Sequence, residues 1–192
     1  MTLRVMLDLE TLSTSANAAI VSIGACANDG RPDFYVRVDL ATCMQAGLKV
    51  DASTIQWWMQ QSDAARKALF EDVRPLRDAL LLFAHWLGSG THAKDEGYGQ
   101  VECELWAYPA QFDVTILGEA YKALGKKEPW HYRAPRCLRT AAALVPEVER
   151  ITSSTEHDAL ADAKAQMCWL GGILEQLEYH KEQTARLAGL NK

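Results

Sequence analysis

The chain has 192 residues, 48% of them hydrophobic and 23% charged, and a chain of that length and composition buries a sizeable core without disulfides or a structural metal, with one domain over residues 1–192 as the expectation. A net charge of −5 argues against coating long stretches of nucleic acid by bulk electrostatics and leaves room for a small site that handles one strand end. The cysteines Cys26, Cys43, Cys103, Cys137 and Cys168 are odd in number and widely spaced, which fits a reducing cytoplasm; Asp8 and Glu10 come too early for a secretory signal, and the uncharged run 11–28 is too rich in Thr, Ser and Asn to span a membrane.

In chain order, residues 3–10 are predicted to form a strand, because Leu3, Val5, Leu7 and Leu9 alternate with Arg4, Met6, Asp8 and Glu10. The apolar run 19–27 predicts a second strand and residues 33–40 a third, with Asp29-Gly30-Arg31-Pro32 as the turn, so a short antiparallel meander joins the three. The period then becomes helical. Asp51 or Ser53 caps a helix through Trp57 and Trp58, Ser62 caps one reaching Phe70, and Pro75 opens one that stops before Gly88. Residues 88–99 read as a flexible loop, 104–108 as a fourth strand and 112–124 as a helix ended by Gly125. A last helix starts near Glu156, with Leu160, Ala163, Met167, Leu170 and Leu174 on one face. The order of elements predicts an α/β fold, a mixed sheet with helices packed on it.

Asp8 and Glu10, two apart on a strand, point the same way, and two charges so close are costly unless water or a cation relieves them. Oxygen-only ligands suit Mg²⁺ or Mn²⁺; the competing reading ends the strand at Leu7 and leaves both acids solvated in a turn. Asp113 lies at a strand–helix junction, where an acid serves either the helix dipole, worth about 0.3–1 kcal/mol, or a function. His157 and Asp162 are five apart, about 140° out of phase on a helix, so both line one cleft only if His157 sits at the frayed helix start. Asp158 has a structural account, since Thr155-Glu156-His157-Asp158 resembles a capping box; Asp162 has none. In residues 122–139, Lys122, Lys126, Lys127, Arg133, Arg136 and Arg139 surround Trp130, His131 and Tyr132. That pattern suits phosphate contacts and base stacking, or else lysines that serve a helix C-terminus beside a buried Trp130.

Together, Asp8-Leu9-Glu10 on a first strand, Phe112-Asp113 at a strand–helix junction and His157 with Asp162 near a late helix start resemble the DEDDh family of 3′–5′ exonucleases, which includes RNase T-like enzymes and polymerase proofreading domains. The resemblance spans residues 3–174. Ile20-Val21-Ser22-Ile23-Gly24-Ala25 looks like the second strand of these enzymes, and Ser53-Thr54-Ile55-Gln56-Trp57-Trp58-Met59-Gln60-Gln61 is similar to a segment of the phage-type, exodeoxyribonuclease VIII-like branch. Ala107-Tyr108-Pro109 departs from the pattern, standing where relatives often carry Gly or Asn.

The resemblance implies an RNase H-like sheet whose first three strands are antiparallel and whose later strands are parallel. It implies two divalent ions, Mg²⁺ or Mn²⁺, held by Asp8, Glu10, Asp113 and Asp162, with His157 accepting a proton from the attacking water. The product would be nucleoside 5′-monophosphates from a single-stranded or frayed 3′ end, with DNA favoured over RNA, in a bacterial or phage-infected cytoplasm and as a monomer or homodimer. By the same analogy Glu10 and the backbone near Thr11 and Leu12 meet the terminal 3′-hydroxyl and base, with Phe112 beside them. Leu12 is either a wedge against that base or a core leucine, and Trp57 and Trp58 are packing residues of which one could face the cleft. Two rivals stand. A haloacid-dehalogenase-type phosphatase would use Asp8 as nucleophile, but it expects Asp at the position of Glu10 and gives Asp113 and His157 no role. A non-catalytic module that only binds nucleic acid or protein would not need the full set of acids and the histidine.

Overall fold

In the computed structural model, which describes residues 2–67, 69–88, 99–153, 155 and 157–189, the chain begins with the expected antiparallel meander: β1 (Arg4–Thr11), β2 (Ile20–Ala27) and β3 (Phe34–Val38). The third strand ends earlier than its apolar pattern suggests, because Asp39 turns to cap α1 (Leu40–Gln45), its Oδ1 accepting from Ala41 N at 2.9 Å. Helices α2 (Ala52–Met59), α3 (Asp63–Lys67) and α4 (Leu76–Leu87) follow, with the two-residue strand β4 (Val73–Arg74) between the last two. Two residues carry no periodicity, so β4 was invisible in the sequence. Gly88, at φ 97°, closes α4; residues 89–98, most of the loop expected at 88–99, lie outside the described residues.

The second half consists of β5 (Glu104–Ala107), α5 (Ala110–Ala123), β6 (Pro135–Cys137), α6 (Leu138–Ala142) and α7 (Ala159–Leu187). The six strands run in the order β4-β3-β2-β1-β5-β6, with β5 parallel to β1 and β6 parallel to β5, so the expected antiparallel-then-parallel sheet is present. The period-two pattern of β1 explains its layers. Val5, Leu7 and Leu9 enter a core closed by α4 and α5, whereas Met6 joins a second core under α6 and α7. Every residue of β2 before Ala27 is buried, as expected of a strand covered on both faces. A small third cluster of Leu12, Val21, Trp58 and Ala65 lies under α2 and α3. Among the described residues, no helix is long and apolar enough to cross a membrane.

The start of α7 differs from the sequence expectation in a way that matters for the site. It begins at Ala159, and its cap is Asp158, whose Oδ1 accepts from Ala161 N at 2.9 Å, so no capping box extends from Thr155. Its buried stripe is Ala159, Ala163, Gln166, Trp169, Leu170 and Ile173, with Leu160, Met167 and Leu174 only half-buried. The shift follows from contact with the sheet at Gly24, where an added Cβ would lie 2.2 Å from the carbonyl carbon of Ala159. Only a residue without a side chain lets the helix start that close to β2.

Candidate active site

Gly24 pairs across the sheet with Asp8, and Ser22 with Glu10, so the helix end seated on Gly24 arrives beside both acids. Asp162, in the first turn of α7, then faces β1. One carboxylate oxygen from each of Asp8, Glu10 and Asp162 lies within 4.8 Å of the other two. The register of β1 with β2 slips between Glu10 and Thr11, a local irregularity of the kind that often ends regular pairing beside a site. Asp113 comes from the first turn of α5, is 2% exposed, and accepts from Leu9 N through Oδ1 at 3.1 Å. That bond ties α5 to the backbone between the two acids of β1.

These residues line a cleft of about 600 Å³, whose walls also include Tyr108, Phe112, Arg150, Ser153, His157 and Gln166. His157 precedes α7 in left-handed backbone, φ 60°, an uncommon conformation for a residue with a side chain. Its ring packs edge-to-face on Trp57 with centroids 4.5 Å apart and stands 6.2 Å from Trp58. Lying outside the helix, it shares the cleft with Asp162 despite the five-residue spacing.

Crowding sets the electrostatics. Burial, with Asp113 and Glu10 close by, pushes the Asp8 carboxyl well above the usual range, against the pull of a hydrogen bond from Gln166 Nε2 at 2.8 Å. Burial, then the charges of Asp162, Asp113 and Asp158, pushes Glu10 up to about 8. Burial raises Asp113 to about 7 even though the amides of Leu9 and of its own helix turn favour the ionised form. Acids held this far from their ordinary behaviour mark a place where a cation would be welcome. Beside them, Gln166 Oε1 and Ser22 Oγ are buried without a partner among the described residues. An all-oxygen donor set with spare acceptors fits a hard divalent cation.

The profile of the 3′–5′ exoribonuclease Rv2179c-like domain matches residues 3–174, a span that contains every residue of the cleft. The chain belongs to this family. Membership over that span leaves the haloacid-dehalogenase reading of Asp8 without support. Among solved structures, the crystal structure of cell-death related nuclease 4 (CRN-4) is similar at 13% identity and a TM-score of 0.47, over 92% of this chain; the match spans 64% of that nuclease. No curated protein gives a significant sequence match.

Within this family member, the sequence-predicted residues Asp8, Glu10, Asp113, His157, Asp162 and Phe112 all line the cleft, although Asp113 contributes no oxygen to the group formed by the other three acids. Leu12 does not line it. Its side chain is 6% exposed in the third core cluster, its N–H donates to Ala19 O and its carbonyl accepts from Asp51 N, so the wedge expectation gives way to the core leucine. Thr11 lies at an adjoining pocket of about 370 Å³, shared with Glu10, Thr14, Ser53, Thr54, Trp57 and Phe112; its carbonyl accepts from Trp58 Nε1 at 2.9 Å. The tryptophan pair thus divides, Trp58 packing in the core and Trp57 lining the adjoining pocket. Trp130 is 4% exposed and belongs to the main core, so it offers no stacking face.

Sequence reasoning missed Gln166 and Ser153. Gln166 lies four residues after Asp162, on the same helical face, and that spacing was a usable signal. Ser153 Oγ donates to Asp162 Oδ1 at 2.5 Å from a loop, and nothing in the local sequence marks it.

Proposed function

We propose that the chain is a metal-dependent exonuclease of the DEDDh type, one domain over residues 1–192, which removes nucleoside 5′-monophosphates from the 3′ end of a single-stranded or frayed nucleic acid. The observation that carries the reading is the convergence of Asp8, Glu10 and Asp162 oxygens in a cleft that Asp113 and His157 also line. Asp8, Glu10 and Asp162, with Asp113 completing the set, would hold two divalent ions, Mg²⁺ or Mn²⁺. When bound, such ions stabilise the attacking and leaving oxygens of an in-line displacement at phosphorus.

The chain's own groups do the rest. Gln166 and Ser153 fix the rotamers of Asp8 and Asp162 through their hydrogen bonds, as outer partners of ligands commonly do. His157 accepts the proton of the attacking water. The water oxygen bonds to phosphorus, the bond from phosphorus to the 3′-oxygen of the penultimate nucleotide breaks, and that oxygen takes a proton from solvent, so the shortened strand leaves with a free 3′-hydroxyl. The neighbouring pocket, walled by Trp57 and Phe112 and by the hydroxyls of Thr14, Ser53 and Thr54, suits the terminal nucleoside: aromatic faces for its base and polar groups for its sugar.

For the substrate we favour RNA over the DNA suggested by the phage-type resemblance, because the family is described by an exoribonuclease activity. The compartment is a reducing cytoplasm, in keeping with five free thiols. Matched RNA and DNA oligonucleotides, followed by initial rate and by mass spectrometry of the released products, test the proposal. The expected result is nucleoside 5′-monophosphates, formed faster from RNA. Equal or faster release from DNA would overturn the sugar assignment, and 3′-monophosphate products would overturn the direction of bond cleavage.

A further inference from the structure

The cleft holds four carboxylates in a chain of net charge −5, so a phosphodiester strand approaching it is repelled unless cations line its path. Two guanidinium groups meet at one point on the rim. Arg150 lines the cleft beside Tyr108, with its Cζ 4.8 Å from the centre of the Tyr108 ring. Arg139, from α6, reaches the same ring, with its Cζ at 5.1 Å. The ring is steadied from α7 by Trp169, edge-to-face at a centroid separation of 5.5 Å.

Both arginines are exposed, and neither makes a hydrogen bond or ion pair among the described residues. Several arginines are spoken for: Arg4, Arg31 and Arg66 pair with carboxylates, and Arg136 donates to the backbone carbonyls of Arg133 and Pro135; what sets Arg139 and Arg150 apart is the shared Tyr108 ring at the cleft. Cation–π attraction at an exposed ring is worth only about 0.5–1 kcal/mol per cation, and two like charges on one ring repel. The ring therefore orients the two groups while leaving their planar donor forks free, and an anion shared between them relieves the repulsion. Phosphate oxygens match that fork geometry.

We propose that Arg150 and Arg139, aligned on Tyr108, bind the phosphodiesters immediately upstream of the scissile bond and so set the length of 3′ end that the enzyme grips. The inference rests on the exonuclease reading above and extends it. Its direction follows from the two sides of the cleft. Among the described residues, the pocket beyond Phe112 has Glu10 as its only charged lining residue and offers aromatic and hydroxyl groups, which suits a terminal nucleoside, so the charged remainder of the strand leaves by the Tyr108 side. Both arginines are positioning residues and touch none of the reacting atoms.

The test is steady-state kinetics at several salt concentrations on two RNAs, a dinucleotide whose only phosphodiester is the scissile one and an octanucleotide, with the wild type, Arg139→Ala, the Arg139→Ala/Arg150→Ala double variant and the double lysine variant. For the octanucleotide, the double alanine variant is expected to raise KM about tenfold with little change in kcat, and to lower the slope of log KM against log salt by about 0.7 for each lost phosphate contact. Arg139→Ala gives an intermediate rise, and the lysine variant recovers part of the loss because it restores charge without the fork. For the dinucleotide, KM changes by less than about threefold. Equal factors on both lengths, or an unchanged octanucleotide KM, would overturn the inference while leaving the exonuclease reading intact. A folded wild-type chain that shortens neither RNA in Mg²⁺ or Mn²⁺ would overturn both.

Discussion

Glu10, raised to about 8, and Asp113, raised to about 7, keep their protons far longer in the folded chain than in an unfolded one. The linkage has a definite sign: the stability they contribute is complete below the ordinary carboxylate range and is lost as pH rises through about 7 to 8. Calorimetry in EDTA is therefore expected to show Tm falling between about pH 5 and pH 8, with Glu10→Gln flattening part of the fall. Mn²⁺ should raise Tm more at the upper end of that window, since its ligands must be deprotonated to bind. A wild-type Tm that fell no faster than that of Glu10→Gln would contradict this account of the cleft. Among the other acids, Asp8→Asn and Asp162→Asn are expected to abolish turnover. Asp158→Asn should keep most of it, because Asp158 caps α7 through Ala161 N and asparagine caps about as well; initial rates of 3′ shortening decide between them. Gln166→Leu removes the donor to Asp8 and should raise the Mn²⁺ concentration for half-maximal activity about tenfold. An unchanged metal requirement would strip Gln166 of its positioning role.

Among the elements, the seat of α7 on β2 assembles the site. Gly24→Ala places a Cβ against the Ala159 backbone, which cannot yield as a flexible side chain would. A loss of about 3 kcal/mol in stability, together with loss of turnover, is expected from denaturant unfolding and rate measurements; a stable and fully active Gly24→Ala would show that α7 need not sit there. The long elements were legible because their apolar residues repeat over several turns or pleats: β1 and α4 lie within a residue or two of their expected ends. The buried face of α7 was legible only in part. Ala163 and Leu170 are buried as expected, but leucine and methionine outrank alanine in a hydrophobic pattern, whereas close contact with Gly24 selects Ala159. Short pieces such as α1, β4, β6 and α6 are held by tertiary partners and leave no local period to read.

For the whole molecule, the topology gathers residues 8–10, 113 and 157–162 from the middle of the sheet and two helix starts on its flanks. Their convergence was legible only as a combination, since Asp8, Glu10 and Asp113 each have an adequate structural account when taken alone. The surroundings were not legible. The Tyr108 ring, Arg150 and Ser153 enter the cleft through chain path between elements, and such placement has no periodic trace in the sequence. Residues 122–139, a basic stretch on paper, are dispersed by the fold: Trp130 enters the core, Lys122 pairs with Glu119, and Arg139 reaches the Tyr108 rim.

The central claim is that the carboxylate cluster makes this chain a metal-dependent nuclease acting from the 3′ end. Its most direct test is a time course on a single-stranded RNA labelled at the 5′ end, run from EDTA through increasing Mn²⁺ with protein shown to be folded. The account predicts intact RNA in EDTA and a ladder that shortens one nucleotide at a time from the 3′ end as the metal rises. A ladder in EDTA, or intact RNA at every metal concentration, would contradict it.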